Sequence, residues 1–219
     1  MTVTDVNVVK SAIFERPDDA NKGTLGSLLC VCGSYGMAGA AVMSAKGALR
    51  TGIGLAKCAL PRSIYPIVAQ TILESVYYPL SENADGRISK VNVPFLVSES
   101  CKSSATLVGC GLGVCDDTLK IVFSFIENST TPLVLDADAL NCVAKQPEIL
   151  LRKKAPIIIT PHPGEMSRLT GLATPLVNAE RERVALDFAQ KYGVVTVLKG
   201  AGTVIASPNG KVLVNPTGN

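Results

Sequence analysis

Two kinds of apolar pattern alternate along the chain. Short, nearly continuous apolar runs stand at 27–32, 55–59, 72–77, 106–108, 133–135, 157–160 and 194–198. Between them, longer stretches at 39–51, 117–127, 139–150, 165–169 and 179–191 read as helices. The first kind predicts strands buried on both faces, the second amphipathic helices. In the last helix Val184, Ala185, Phe188 and Ala189 share one face, while Glu180, Arg181, Glu182 and Arg183 fall on solvated positions. This alternation predicts one α/β domain over 1–219, a mostly parallel central sheet with helices on both faces. The tail differs. From 194 onward it reads strand, turn, strand, an Asn209-Gly210 turn, and strand, which predicts a C-terminal β-hairpin. "NPTGN" then follows a strand with no covering helix.

Composition narrows the function classes. The 219 residues are 47% hydrophobic and 18% charged, enough for a large core. A net charge of +3, no Trp and no dense basic stripe give no support for a nucleic-acid partner or an anionic membrane. The densest basic run, 151–154, reads as a solvated helix end. No apolar stretch has the length of a signal peptide or a membrane span. Seven cysteines, several inside apolar runs, fit reduced thiols in a cytoplasmic protein. One histidine and no C-x-x-C leave a zinc site little to draw on, and no metal ligands are assigned.

In open α/β sheets ligands sit beyond the carboxyl ends of strands, so the loops there carry the candidate chemistry. Five stand out. "GSYGMAGAA" at 33–41 places glycines before a helix, as a tight turn or a close approach for a ligand. Its spacing fits neither the dinucleotide fingerprint nor the phosphate loop. "GCGLGVCDD" at 109–117 is a second glycine loop, with Asp116 or Asp117 as a helix N-cap. "DADALN" at 136–141 offers Asp136 and Asp138 as magnesium ligands or, for Asp138, as a helix cap. "PHPGE" at 161–165 holds the only histidine, His162, in a stiff loop, with Glu165 in the first turn of the next helix. "KGAGT" at 199–203 puts a lysine and two glycines at a strand end, suited to a phosphate. No hydrolase triad is present. Together the loops describe a long cleft for a phosphorylated ligand.

In this order, "NKGTLGSLLCVCGSYGMAGAAVMSAKGALRTGIGL", "GCGLG", "LVLDADALN", "ITPHPGEMSRLTG" and "VLKGAGTVI…NPTGN" resemble the ADP/ATP-dependent NAD(P)H-hydrate dehydratase family, a branch of the ribokinase-like fold. The resemblance runs from about Asn21 to Asn219. It implies repair of hydrated NADH or NADPH, with ADP or ATP as phosphoryl donor and Mg²⁺ assisting. It implies substrate contacts at Ala40, Gly111, Gly113 and His162. It places the adenine nucleotide on Lys199, Gly200, Ala201, Gly202 and Thr203, with Lys199 facing phosphate, in a homo-oligomer. Two departures are visible. Cys110 stands where the family usually has proline. Family members continue from "NPTGN" into a glycine-rich G-[ST]-G-D motif whose aspartate is the catalytic base. That base is therefore expected beyond Asn219, in a longer or cleaved protein rather than the alternative of a natural truncation, with these residues alone poorly active. Two other readings stay open: an ATP-dependent kinase for a small alcohol such as a vitamin precursor, and an inactive nucleotide-binding module.

Overall fold

The computed structural model describes residues 2–4, 10, 18, 20, 21 and 23–217. Most of the N-terminal stretch, and Gly218 and Asn219 of "NPTGN", lie outside the described residues. Ten strands form one sheet in the order β1-β10-β9-β8-β7-β6-β5-β2-β3-β4. They are β1 (Thr2–Val3), β2 (Ser27–Val31), β3 (Leu55–Pro61), β4 (Val76–Leu80), β5 (Ala105–Val108), β6 (Leu133–Leu135), β7 (Ile157–Ile159), β8 (Val195–Leu198), β9 (Thr203–Ala206) and β10 (Val212–Asn215). Neighbours from β4 to β8 are parallel. The β8–β9 and β9–β10 pairs are antiparallel, and β1 adds parallel to β10. The predicted hairpin is present, closed by Ser207 N–H to the Lys211 carbonyl at 2.9 Å, with Gly210 at φ +92°.

From residue 23 onward the α-helices are α1 (Ala38–Arg50), α2 (Tyr65–Thr71), α3 (Val93–Cys101), α4 (Asp116–Asn128), α5 (Asp138–Val143), α6 (Pro163–Thr170), α7 (Thr174–Ala179) and α8 (Arg181–Tyr192). On one face, α1 and α2 bury Cys30, Cys32, Cys58, Leu60, Ala41, Ala45, Ile64, Val68 and Ile72. On the other, a larger core joins Leu29, Val31, Val108, Leu133, Leu135 and Ile159 to α4, α5, α6 and α8 through Phe125, Leu140, Met166 and Phe188. Helices thus lie on both faces, but unevenly. Leu107, Val134, Ile158, Val195, Val197 and Ile205, one row across β5–β9, are only partly buried.

Three boundaries correct the sequence reading. The strand predicted at 72–77 begins at Val76, because Ile72 is buried at the end of α2, inside the smaller core. The single helix predicted at 139–150 is two pieces, α5 and a 3₁₀ segment Pro147–Arg152, since Pro147 has no N–H to continue the ladder. The predicted helix at 179–191 divides at Glu180 into α7 and α8. Helices α2 and α3, both opened by prolines, were not read from periodicity. No helix among the described residues is long and apolar enough to cross a membrane.

The chain leaves β2 toward β3 and β4 on one side, then returns to build β5 through β8 on the other. Strand order therefore reverses between β2 and β5, which opens a crevice at their carboxyl ends.

Candidate active site

The two glycine loops flank that crevice and are fastened to each other. Gly33 N–H donates to the Cys110 carbonyl at 2.8 Å, and the buried Ser34 hydroxyl donates to the Gly111 carbonyl at 2.8 Å. Gly111 adopts φ +65°, and a Cβ there would come within 2.7 Å of the Ala40 Cβ. Ala40 and Gly111, both expected to touch substrate, thus lie against each other. Gly113 follows at φ +76°, with its N–H donating to Asp138 Oδ2 at 2.8 Å. A side chain on Gly113 would collide with the Arg87 side chain.

Arg87 belongs to a sixth loop, 81–89, which the sequence presents only as a polar connection. Its Gly86 carbonyl accepts from Tyr35 N–H at 2.9 Å, and Asn83 Nδ2 donates to Asp117 Oδ2 at 3.0 Å. Neither Asp116 nor Asp117 caps α4. Cys115 holds the cap position, its N–H donating to Thr118 Oγ1 at 2.9 Å, and both aspartates lie in the first helical turn.

The β6 loop is the hinge of the rim. Gly109 (φ +124°) must be glycine, since a Cβ would overlap the Asp136 carbonyl. Ala137 holds φ +49°, the one positive-φ non-glycine residue among those described, a conformation that costs about 1–3 kcal/mol. Asp138 does not cap its own helix; it binds the Gly113 N–H across the rim. Asp136 gathers three donors: Lys199 Nζ and Thr160 Oγ1, each at 2.7 Å from Oδ1, and Cys110 Sγ at 3.4 Å from Oδ2. Burial pushes the Asp136 carboxyl up, but the hydrogen bonds from Lys199 and Thr160 and the Lys199 charge outweigh it and hold it below the usual aspartate value. The neighbouring Cys32 and Ser44 hold the Cys110 thiol below the ordinary cysteine value against its burial.

His162 is the N-cap of α6. Its Nδ1 accepts from Gly164 N–H (3.0 Å) and Glu165 N–H (3.3 Å), while its own N–H donates to Glu165 Oε2 at 2.8 Å. This reciprocal capping box assigns the ring proton to Nε2, 3.4 Å from Glu165 Oε1. The ring is half exposed at the rim and the Glu165 carboxylate is buried, at 6% exposure. The β8 loop joins here: Lys199 N–H donates to the Pro161 carbonyl at 2.8 Å, and Lys199 Nζ lies 3.9 Å from Glu165 Oε2. Lys199, expected to face phosphate, is thus held by Asp136. Gly200 (φ +145°) and Gly202 (φ +68°) turn the chain into β9, and Thr203 Oγ1 donates to the Gly200 carbonyl at 3.0 Å. Among the described residues the N–H groups of Gly200, Ala201 and Gly202 meet no protein acceptor.

All five loops therefore form one continuous rim, tied edge to edge by hydrogen bonds. An apolar groove of about 520 Å³ runs from Cys110, Asp136 and Thr160 along Leu107 and Val134 beside α1. A separate cavity of about 460 Å³, walled by Leu169, Val184, Phe188 and Tyr192, includes none of the five loops. No group of three His, Cys, Asp or Glu side chains among the described residues is arranged to hold a metal ion.

The rim's ordered loops match known proteins across nearly the whole chain. Residues 28–219 match the family model for NAD(P)H-hydrate dehydratase. The chain is 39% identical over 204 residues to the bifunctional NAD(P)H-hydrate repair enzyme Nnr of Thermofilum pendens, covering 93% of this chain and 39% of that protein. It is 32% identical over 213 residues to the ADP-dependent (S)-NAD(P)H-hydrate dehydratase of Bacillus subtilis, covering 96% of this chain and 71% of that one. The crystal structure of the ADP/ATP-dependent NAD(P)H-hydrate dehydratase from Bacillus subtilis, co-crystallized with ATP/Mg²⁺, superposes with a TM-score of 0.82 at 30% identity, over all of this chain and 73% of that one. A ribokinase-like superfamily protein from Enterococcus faecalis shares the fold at TM-score 0.82 and 20% identity, covering 100% of this chain and 72% of that one. The chain spans about two fifths of the bifunctional relatives. Its sheet order, its linked glycine loops and a match that spans every one of them place this chain in the NAD(P)H-hydrate dehydratase family, on a ribokinase-like fold.

Proposed function

We propose that the protein restores hydrated NADH or NADPH to the reduced dinucleotide, using ADP or ATP to phosphorylate the hydrate hydroxyl before phosphate leaves. Hydroxide is a poor leaving group and phosphate a good one, so phosphorylation turns a sluggish elimination into an easy one. The observation that carries the reading is the continuous rim. On this reading Ala40, Gly111, Gly113 and His162, carried on its β2, β5 and β7 loops, form the dinucleotide side. Its β8 turn offers Lys199, Gly200, Ala201, Gly202 and Thr203 as the nucleotide side. Positioning and charge neutralisation are the main demands of phosphoryl transfer. The free amides of Gly200, Ala201 and Gly202 suit an anion. When phosphate competes for Lys199, Asp136 still holds Thr160 and Cys110. His162 presents its Nε2–H at the rim as a donor to the substrate.

The described carboxylates make no cation cage: Asp136 is engaged by Lys199, and Asp138 by Gly113 and Asn141. A Mg²⁺ ion that served the reaction would enter bound to nucleotide phosphates, lending charge neutralisation there. The base for the substrate hydroxyl is assigned to the glycine-rich motif that follows "NPTGN" in the family. We further infer a cytoplasmic homo-oligomer, supported by free cysteines at every position and by the exposed apolar side chains of Tyr35, Met37 and Met43. Sedimentation velocity tests the assembly; a monomer at micromolar concentration would refute it. His162→Ala tests the site: hydrate binding falls by about tenfold or more while ADP binding holds. An equal loss of both would remove His162 from the dinucleotide side.

A further inference from the structure

We propose that Arg181 is a positioning residue for the nucleotide turn, holding 199–203 so that its free amides form a cradle for phosphate. The inference rests on the reading of that turn as the nucleotide side of the site. The helical pattern puts Arg181 among solvated charges, yet its guanidinium lies against the turn. Nη2 donates to the Leu198 carbonyl at 2.9 Å and to the Gly202 carbonyl at 3.4 Å. These two carbonyls bracket Lys199, Gly200 and Ala201, so one side chain pins both shoulders of the loop. A Cβ at Gly200 would come within 2.7 Å of Nη1, the far end of the arginine side chain, so it is the φ of +145° that calls for glycine there.

The guanidinium is also short of partners. Nε is buried without an acceptor, and no carboxylate pairs with the side chain among the described residues. Glu180, its neighbour in sequence, pairs with Arg183 instead. Burial pulls the Arg181 pKa below the ordinary arginine value, with no opposing charge to restore it. A partly buried cation whose hydrogen bonds go only to carbonyls stands beside three N–H groups that meet no acceptor among the described residues. An anion on the turn supplies the missing charge. Two carbonyls at the ends of the turn, of Leu198 and Gly202, are drawn onto the guanidinium. A cavity of about 600 Å³ beside the turn is lined by Arg181, Arg183, Glu180, Glu182, Ala201 and Gly202.

Calorimetric titration of the full chain with ADP and with adenosine, on wild type, Arg181→Met and Arg181→Lys, tests this, with thermal denaturation in parallel. Arg181→Met is expected to weaken ADP by about 10- to 100-fold and adenosine by less than about twofold. Arg181→Lys falls between, since an ammonium keeps the charge but not the planar fork. Equal ADP affinity in wild type and Arg181→Met would overturn the proposal. So would parallel losses of ADP and adenosine, the mark of a scaffold role alone. If Arg181→Met does not fold, the Arg181→Lys comparison decides by the same two ratios. Wild-type protein that binds neither ligand would overturn the nucleotide reading of the turn, and this proposal with it.

Discussion

Single residues at the rim are constrained for different physical reasons, and substitution separates them. Gly109 and Gly36 both hold positive φ, but a Cβ on Gly109 overlaps the Asp136 carbonyl while one on Gly36 meets open space. Gly36→Ala should therefore cost about 1 kcal/mol, the backbone penalty alone. Gly109→Ala should cost about 3 kcal/mol or more, because strand and loop must move apart. Urea denaturation measures both, and equal costs would contradict the packing account. Asp136 makes a second case. Its folded pKa lies below the ordinary value, so its contribution is complete above pH ~4 and is lost as pH falls through the lower folded value. Lys199 is 42% exposed, so solvent screens the pair and Asp136→Asn should cost about 1 kcal/mol at neutral pH. The wild-type and variant stability curves should converge only below pH ~4; convergence between pH 7 and 5 would contradict the assignment. Sequence marked Asp136 as a strand-end carboxylate. Its partner Lys199 is 63 residues away and becomes visible only when β6, β7 and β8 line up.

At the scale of elements, punctuation was more legible than extent. Gly171 and Gly193 end α6 and α8 in the left-handed conformation, and Pro163 opens α6, as residues of those types do. The "PHPGE" loop was legible as a stiff loop at a strand end, but not as a capping box, because histidine is an uncommon N-cap. That double role gives a prediction. His162→Ala should lose the cap and destabilise the protein by about 1 kcal/mol, whereas His162→Asn should restore the cap. Both should lose hydrate binding. Thermal melts and hydrate titrations on the two variants check this, and hydrate binding that returned with Asn would mean that the cap, not the imidazole, carries the effect. Arg181 shows where periodicity misleads. It stands at the start of α8, where the solvated face and the neighbouring β8 turn meet, and only the antiparallel β8–β9 return brings that turn over it. Loop 81–89 was equally opaque, since its value lies in three contacts, Gly86 to Tyr35, Arg87 to Gly113 and Asn83 to Asp117, with partners far along the chain.

At the scale of the whole molecule, one topological fact organises the chemistry. The reversal of strand order between β2 and β5 sets two glycine loops on either side of a crevice, and the run β5-β6-β7-β8 extends it into a rim. Alternating apolar runs were sufficient to anticipate the parallel sheet and the terminal hairpin, because each strand and turn carries its signal locally. The uneven cover of the sheet was not, since burial of Val134 or Ile158 depends on what packs over them, not on their own runs. The most direct measurement of the central claim supplies the protein, in its full natural chain, with hydrated NADH, ADP and Mg²⁺, and follows reduced-nicotinamide absorbance together with inorganic phosphate. Recovery of absorbance with one phosphate released per dinucleotide is the predicted result. A stable phosphorylated product without recovery, or bound nucleotide without turnover, would contradict it.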